Sequence, residues 1–181
     1  MRTSMLIPLA TALLAGCATD EDKDDFNVED DCDDTNAEIY PGAPETVGDG
    51  IDSDCDGEDP PHPFLGDWTL QSLKGVIDGE DYFEGYETNG SLKIGENLKG
   101  TTQFALSYDG ETYELLSASG DVTPGSAGAF SMDLTGTWAS ELPATADWDC
   151  VTAAAEITCT GATNVTGDEV YSLDTTAVFK Q

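Results

Sequence analysis

Apolar and polar residues follow three different patterns along this chain, and each predicts a different kind of structure. Residues 5–15 (MLIPLATALLA) form one mostly apolar run, too short to span a bilayer as a permanent helix. Residues 18–30 hold few apolar groups among dense like charge, and residues 31–59 are little richer, so neither stretch builds a hydrophobic core of ordinary size. From Phe64 onward apolar and polar positions alternate, as in Trp68 and Leu70, Leu92 and Ile94, and Phe130, Met132 and Leu134. A period of two belongs to strands that face a core on one side. Such runs, separated by glycine and turn residues, predict strands at 65–74, 81–88, 91–95, 102–109, 111–118, 128–135, 146–152, 155–160 and 169–180. Asn89-Gly90 and Asp109-Gly110 are expected hairpin turns. Helical periodicity is nearly absent, so the body is expected to be all-β, an antiparallel meander closed into a barrel or folded into a sandwich.

The first apolar run ends in Leu14-Ala15-Gly16-Cys17. This triplet of small residues and cysteine resembles the lipobox of bacterial lipoproteins. The resemblance implies that residues 1–16 are a signal peptide, that Cys17 carries the lipid, and that the membrane partner is reached through that anchor. Ala18 stands where an aspartate is associated with inner-membrane retention, so the implied address is the outer membrane, periplasmic or surface-exposed. Residues 17–30 are then expected to be a disordered acidic tether.

Charge sharpens the picture. The chain has 37 acidic against 6 basic side chains, a formal net charge of -31. Residues 20–59 hold 18 of the acids with one basic residue, Lys23. Such a field repels nucleic-acid phosphates and anionic headgroups and attracts divalent cations. No nucleic-acid partner is expected. With Cys17 taken up by lipid, Cys32, Cys55, Cys150 and Cys159 remain, an even number suited to an oxidising compartment. Three pairings exist, and the layout favours Cys32 with Cys55 and Cys150 with Cys159, the second stapling a hairpin.

The acids of 31–59 alternate with glycines and other small residues. Asp52, Asp54 and Asp56 followed by Gly57 repeat the opening of a calcium loop, in which carboxylates one, three and five curl onto one ion. The twelfth position counted from Asp52 is Pro63, so a complete EF-hand is excluded. A Cys32–Cys55 bridge would bring Asp31, Asp33 and Asp34 toward Asp52, Asp54 and Asp56, and their mutual repulsion calls for a cation. All-oxygen ligands favour a hard divalent ion, calcium ahead of magnesium.

Three blocks in this stretch, Asp31-Cys32-Asp33-Asp34, Pro41-Gly42-Ala43-Pro44-Glu45 and Asp54-Cys55-Asp56-Gly57, resemble a metal-binding motif of secreted and surface proteins from myxobacteria and related bacteria. Gly48 stands where the motif usually has a cysteine, and Ser53 where it usually has asparagine. Some members are described as copper-associated, yet no histidine or methionine cluster lies near this copy. After the stiff junction Pro60-Pro61-His62-Pro63, the segment Leu65-Gly66-Asp67-Trp68 and the Cys150 to Cys159 hairpin with its long final strand resemble a lipocalin-like domain over 64–181. That resemblance implies a small barrel either packed with its own side chains or holding a small apolar molecule.

An enzyme needs a poised base, nucleophile or metal-bound water. The single histidine, His62, is flanked by prolines, no free thiol remains after pairing, and Asp147 and Asp149 belong to a strand-like run without a cleft. The expected function is therefore non-enzymatic: a lipid-anchored cell-envelope binding or structural module with a calcium-binding acidic segment. The alternatives are a carrier of a small apolar molecule and an envelope protein without a small ligand.

Overall fold

The computed structural model describes residues 19–139 and 141–181. The chain divides into two compact units after Pro61. The expected signal peptide, residues 1–16, and the expected lipidation site, Cys17, lie outside the described residues. Among those described, no helix is long and apolar enough to cross a membrane.

The second unit is a β-barrel. Its strands are β1 (Gly66–Ile77), β2 (Glu80–Asp81), β3 (Glu87–Ile94), β4 (Lys99–Tyr108), β5 (Glu111–Pro124), β6 (Ala129–Trp138), β7 (Leu142–Ala153), β8 (Glu156–Thr166) and β9 (Val170–Lys180). Each long strand pairs antiparallel with the next, and β1 pairs with both β3 and β9. The eight long strands thus form a closed meander, the topology of a lipocalin-like barrel, while β2 is a two-residue return along the end of β1. Closure gives each of the eight long strands two neighbours, so that among the described residues none of them is a free sheet edge.

Alternation places the core. Trp68, Leu70, Leu92, Ile94, Phe130, Met132 and Leu134 are all buried. Two bulges shift the alternation where the sequence gives no warning. In β1, Gln71 is the extra residue between Leu70, opposite Phe179, and Ser72, opposite Val178, so Leu70 and Leu73, three apart, both face inward. In β5, Leu115 is extra between Glu114, opposite Ala105, and Leu116, opposite Phe104, so the adjacent Leu115 and Leu116 are both buried. Tyr82, Tyr108, Tyr113 and Tyr171 are exposed.

The two expected turns fare differently. Tyr108 pairs with Glu111, leaving Asp109 and Gly110 at φ 49° and 79°, the positive pair that a type I′ hairpin requires. Asn89-Gly90 is not a turn. It lies inside β3, with Asn89 opposite Ala105 and Gly90 opposite Phe104. A Cβ on Gly90 would sit 2.3 Å from the Gln103 carbonyl oxygen, so this glycine serves close strand approach. The chain instead reverses between Ile94 and Lys99, where Leu98 has φ 54°.

The barrel is filled by its own side chains. Trp68, Trp148, Phe104, Phe179 and Met132 are each at most 2% exposed, and Phe104 stacks on Trp148 at 5.6 Å and on Phe179 at 5.9 Å. Buried donors find partners: Trp68 Nε1 donates to the Phe64 carbonyl at 2.9 Å. Trp148 Nε1 donates to Thr163 Oγ1 at 3.3 Å, and Thr175 Oγ1 donates to the same oxygen at 2.8 Å. Cys150 and Cys159 face each other across β7 and β8 and are joined by a disulfide. An apolar cavity of about 230 Å³ opens at one end, lined by Ile77, Tyr82, Trp138, Leu142, Tyr171 and Leu173 among others. Asp67–Lys93, Glu156–Lys180 and Asp121–Lys99 pair on the exterior, where such pairs add little stability.

Candidate metal centre

Among the described residues of the first unit the apolar core is reduced to Ile39 and Ala43, so polar links hold the chain. A disulfide joins Cys32 and Cys55 with Cα atoms 5.7 Å apart. The Tyr40 and Gly42 amides donate to the Ser53 and Asp54 carbonyls, each at 3.0 Å, laying the Pro-Gly-Ala-Pro-Glu block beside the Asp-Cys-Asp-Gly block. Glu45 completes the clamp: its Oε1 accepts the Ser53 N–H and its Oε2 the Asp54 N–H, both at 3.2 Å. Asp59 does the same for the turn that includes Gly48 and Gly50, accepting their N–H groups at 2.8 and 2.7 Å. Glycines at 42, 48, 50 and 57 all have positive φ, which lets so short a chain curl repeatedly around its own carboxylates.

This curling creates two overlapping acidic groups. Glu45, Asp52 and Asp54 each offer a ligand atom within 4.8 Å of the others, and so do Glu45, Asp49 and Asp59. Glu45 is common to both. Of the six aspartates expected as ligands, only Asp52 and Asp54 come together in this way. Asp56 is exposed, with its Oδ1 accepting the Glu58 N–H and its own amide capping Asp52 and Asp54. Asp33 is exposed and bonded to the Thr35 hydroxyl, and Asp34 accepts the Glu21 N–H. Asp31 sits beside the bridged sulfurs, and sulfurs spent in a disulfide do not act as thiolate ligands. The bridge therefore joins the two loops without gathering all six carboxylates on one point. Glu45, Asp49 and Asp59, which sequence reasoning passed over as ligands, supply the rest. The only advance signal was the position of Glu45 inside one of the three motif blocks.

Asp54 is held above the ordinary aspartate pKa. Burial is the main cause, and the charges of Asp56, Glu45 and Asp52 add to it against the opposing backbone N–H of Asp56. A carboxylate that gathers like charges around itself is stabilised by either a proton or a cation.

Against known families, residues 31–60 match the copper-binding MopE family model, described as "Putative metal-binding motif". No curated protein and no solved structure matches the chain. The match covers the clamp and both acidic groups, so this stretch carries a metal-binding-like motif with the Cys32–Cys55 bridge inside it. Copper in the family's name asks for imidazole, thiolate or thioether donors. Residues 31–60 contain no histidine and no methionine, and both cysteines are bridged. His62 stacks on Phe64 at 4.8 Å, and Met132 is a core residue of the barrel. The donors in the clamp are carboxylate oxygens, which do not fit a soft copper site and do suit a hard cation.

Proposed function

We propose that this protein is a lipid-anchored, non-enzymatic module of the bacterial cell envelope, in which a calcium-binding acidic segment accompanies a filled β-barrel. The observation that carries the metal reading is the convergence of Glu45, Asp52 and Asp54 within 4.8 Å inside the stretch that matches a metal-binding family. Oxygen donors on a flexible, glycine-rich loop favour calcium over the smaller magnesium ion, which demands near-octahedral geometry. The anchor and the outer-membrane address rest on Leu14-Ala15-Gly16-Cys17 and Ala18. The non-enzymatic reading is supported by Asp147 and Asp149, which point outward on β7 rather than into a cleft, and by the stacking of His62 on Phe64. A carrier role has less support: the interior is occupied by tryptophan and phenylalanine, and the apolar cavity at the mouth, about 230 Å³, is smaller than ordinary ligand pockets of roughly 300–1,000 Å³.

Calorimetry on the protein in detergent at neutral pH tests the metal reading. Saturable calcium binding is expected, and the site at the clamp should be lost in the variant combining Glu45→Gln with Asp52→Asn and Asp54→Asn. Weak, unsaturable heats abolished by moderate salt would mean counterion condensation and would defeat it. Acidity supplies a separate check. Because the folded-state pKa of Asp54 is raised, its contribution to the metal-free protein is most favourable below the ordinary aspartate value and declines as pH climbs through the raised one. Amide exchange at Ser53 and Asp54 in chelator should therefore be slower near pH 4 than expected from its intrinsic pH dependence, with added calcium restoring that protection at pH 7. Protection that is the same at both pH values with and without calcium would contradict this.

A further inference from the structure

The stretch preceding the family motif holds a second constellation. Asp20, Asp22 and Asp24 offer ligand atoms within 4.8 Å of one another, in a segment that the sequence presents as a tether. The segment is folded back on itself: the Val28 amide donates to the Thr19 carbonyl, the Asp30 and Asp31 amides to Asn27, and Phe26 stacks on Tyr40 at 5.4 Å. Asp20 accepts the Lys23 and Asp25 N–H groups, Asp22 that of Asp24, and Asp24 that of Phe26. An acidic loop of this kind can exist without any ion, so its shape alone decides nothing.

A separate feature does point to a ligand. Asp31 is only 8% exposed, and its Oδ2 is closed to solvent with no hydrogen-bond partner, as are Asp22 Oδ2 and Asp24 Oδ2. The other oxygen of Asp31 is engaged by the Asp33 N–H. Buried ionised oxygens without donors are unfavourable unless a positive charge meets them. Among the described residues, Lys23 makes no ion pair with them. Asp22 carries the electrostatic mark of this arrangement: burial raises its pKa, and the charges of Asp24, Asp31 and Asp20 raise it further, against the Asp24 backbone N–H. Counted from Asp20, the acids occupy positions one, three, five and twelve. Calcium loops place side-chain ligands at those same positions and a sharp turn at the sixth, here Asp25 at φ 81°.

We propose that Asp20, Asp22, Asp24 and Asp31 form a second hard-cation site, suited to calcium and separate from the cluster of Glu45, Asp52 and Asp54. Calcium here fixes the loop of residues 20–31, the stretch that the sequence presents as a tether. Asp31 then belongs to this site rather than to the clamp, although it opens the family motif.

Native mass spectrometry and calorimetry of the full chain in detergent, with calcium as the only probe, test the proposal. Two ions are expected per chain. Asp22→Asn with Asp24→Asn should retain one ion and weaken the other on the order of a hundredfold, since affinity in such loops follows the number of charged ligands. Glu45→Gln with Asp52→Asn should retain the site at Asp20 to Asp31. A single ion that disappears with the first pair and survives the second would uphold this site and remove the clamp reading. Binding unchanged by the first pair, or no bound ion at all, overturns it. Should the first pair disorder the segment, exchange in the parent chain still decides: amides of Asp24, Asp25 and Phe26 slow in calcium if the site exists, and keep their chelator rates if it does not.

Discussion

Replacing Cys32 and Cys55 together by serine will largely disorder residues 31–59 and weaken the proposed calcium binding at Glu45, Asp52 and Asp54. The bridge closes a loop whose ends are 23 residues apart, which restricts the unfolded chain by about 3 kcal/mol in the chain-entropy account. Little else offsets the loss. Ile39 and Ala43 are the only buried apolar residues of the segment, and the remaining ties are single hydrogen bonds, each with a net value of about 1 kcal/mol. Without the bridge, the carboxylates of Glu45, Asp52 and Asp54 are free to move apart, which relieves their repulsion. Protection of the Tyr40, Gly42, Ser53 and Asp54 amides should therefore collapse toward random-coil exchange, while the thermal midpoint of the barrel, with its own Cys150–Cys159 bridge, stays within a few degrees. Retained protection in the serine variant would show that the clamp of Glu45 and Asp59 suffices. Saturating calcium is expected to recover part of the order, because an ion bound only by the folded segment adds RT ln(1 + [L]/Kd) to its stability.

The same contrast between local and distant contacts explains what could be read from the sequence. Alternation exposed the strands because a pleated backbone enforces period two regardless of what lies opposite. The bulges at Gln71 and Leu115 escaped because they are set by the partner strand, and nothing local marks Leu115 and Leu116 as both buried. Asn89-Gly90 misled for a related reason: the dipeptide suits a hairpin, but the ladder to β4 claims it. At the metal centre, Asp52 and Asp54 were legible through their spacing, whereas Glu45, Asp49 and Asp59 join them through chain reversals that the glycines permit but do not encode. The spacing of Asp20, Asp22 and Asp24 is equally regular, but the uniform charge around it resembles a solvated tether. Only the burial of Asp31 separates the two.

Truncating Trp148 to alanine is expected to destabilise the barrel by about 4 kcal/mol, the range for removing a buried large aromatic side chain. For a unit of this size that corresponds to a fall in thermal midpoint on the order of 15 °C. Two effects combine. The indole is 2% exposed and stacks on Phe104, so its loss opens an apolar void; it also supplies the N–H received by Thr163, which Thr175 approaches as well. Trp148→Phe separates them by keeping a ring over Phe104 while deleting the donor, and should lose about 1 kcal/mol through the hydrogen bond, plus a smaller packing deficit. The void in Trp148→Ala also tests whether the barrel is a scaffold or a carrier. Engineered apolar cavities of about 150 Å³ remain dry and take up molecules of benzene size. The alanine variant should accordingly be stabilised by a small aromatic probe in a thermal-shift titration well beyond the parent barrel, whose interior is filled by its own aromatics. A parent protein stabilised as strongly as the variant would mean that the barrel already accommodates a ligand, and the carrier reading would then displace the scaffold one.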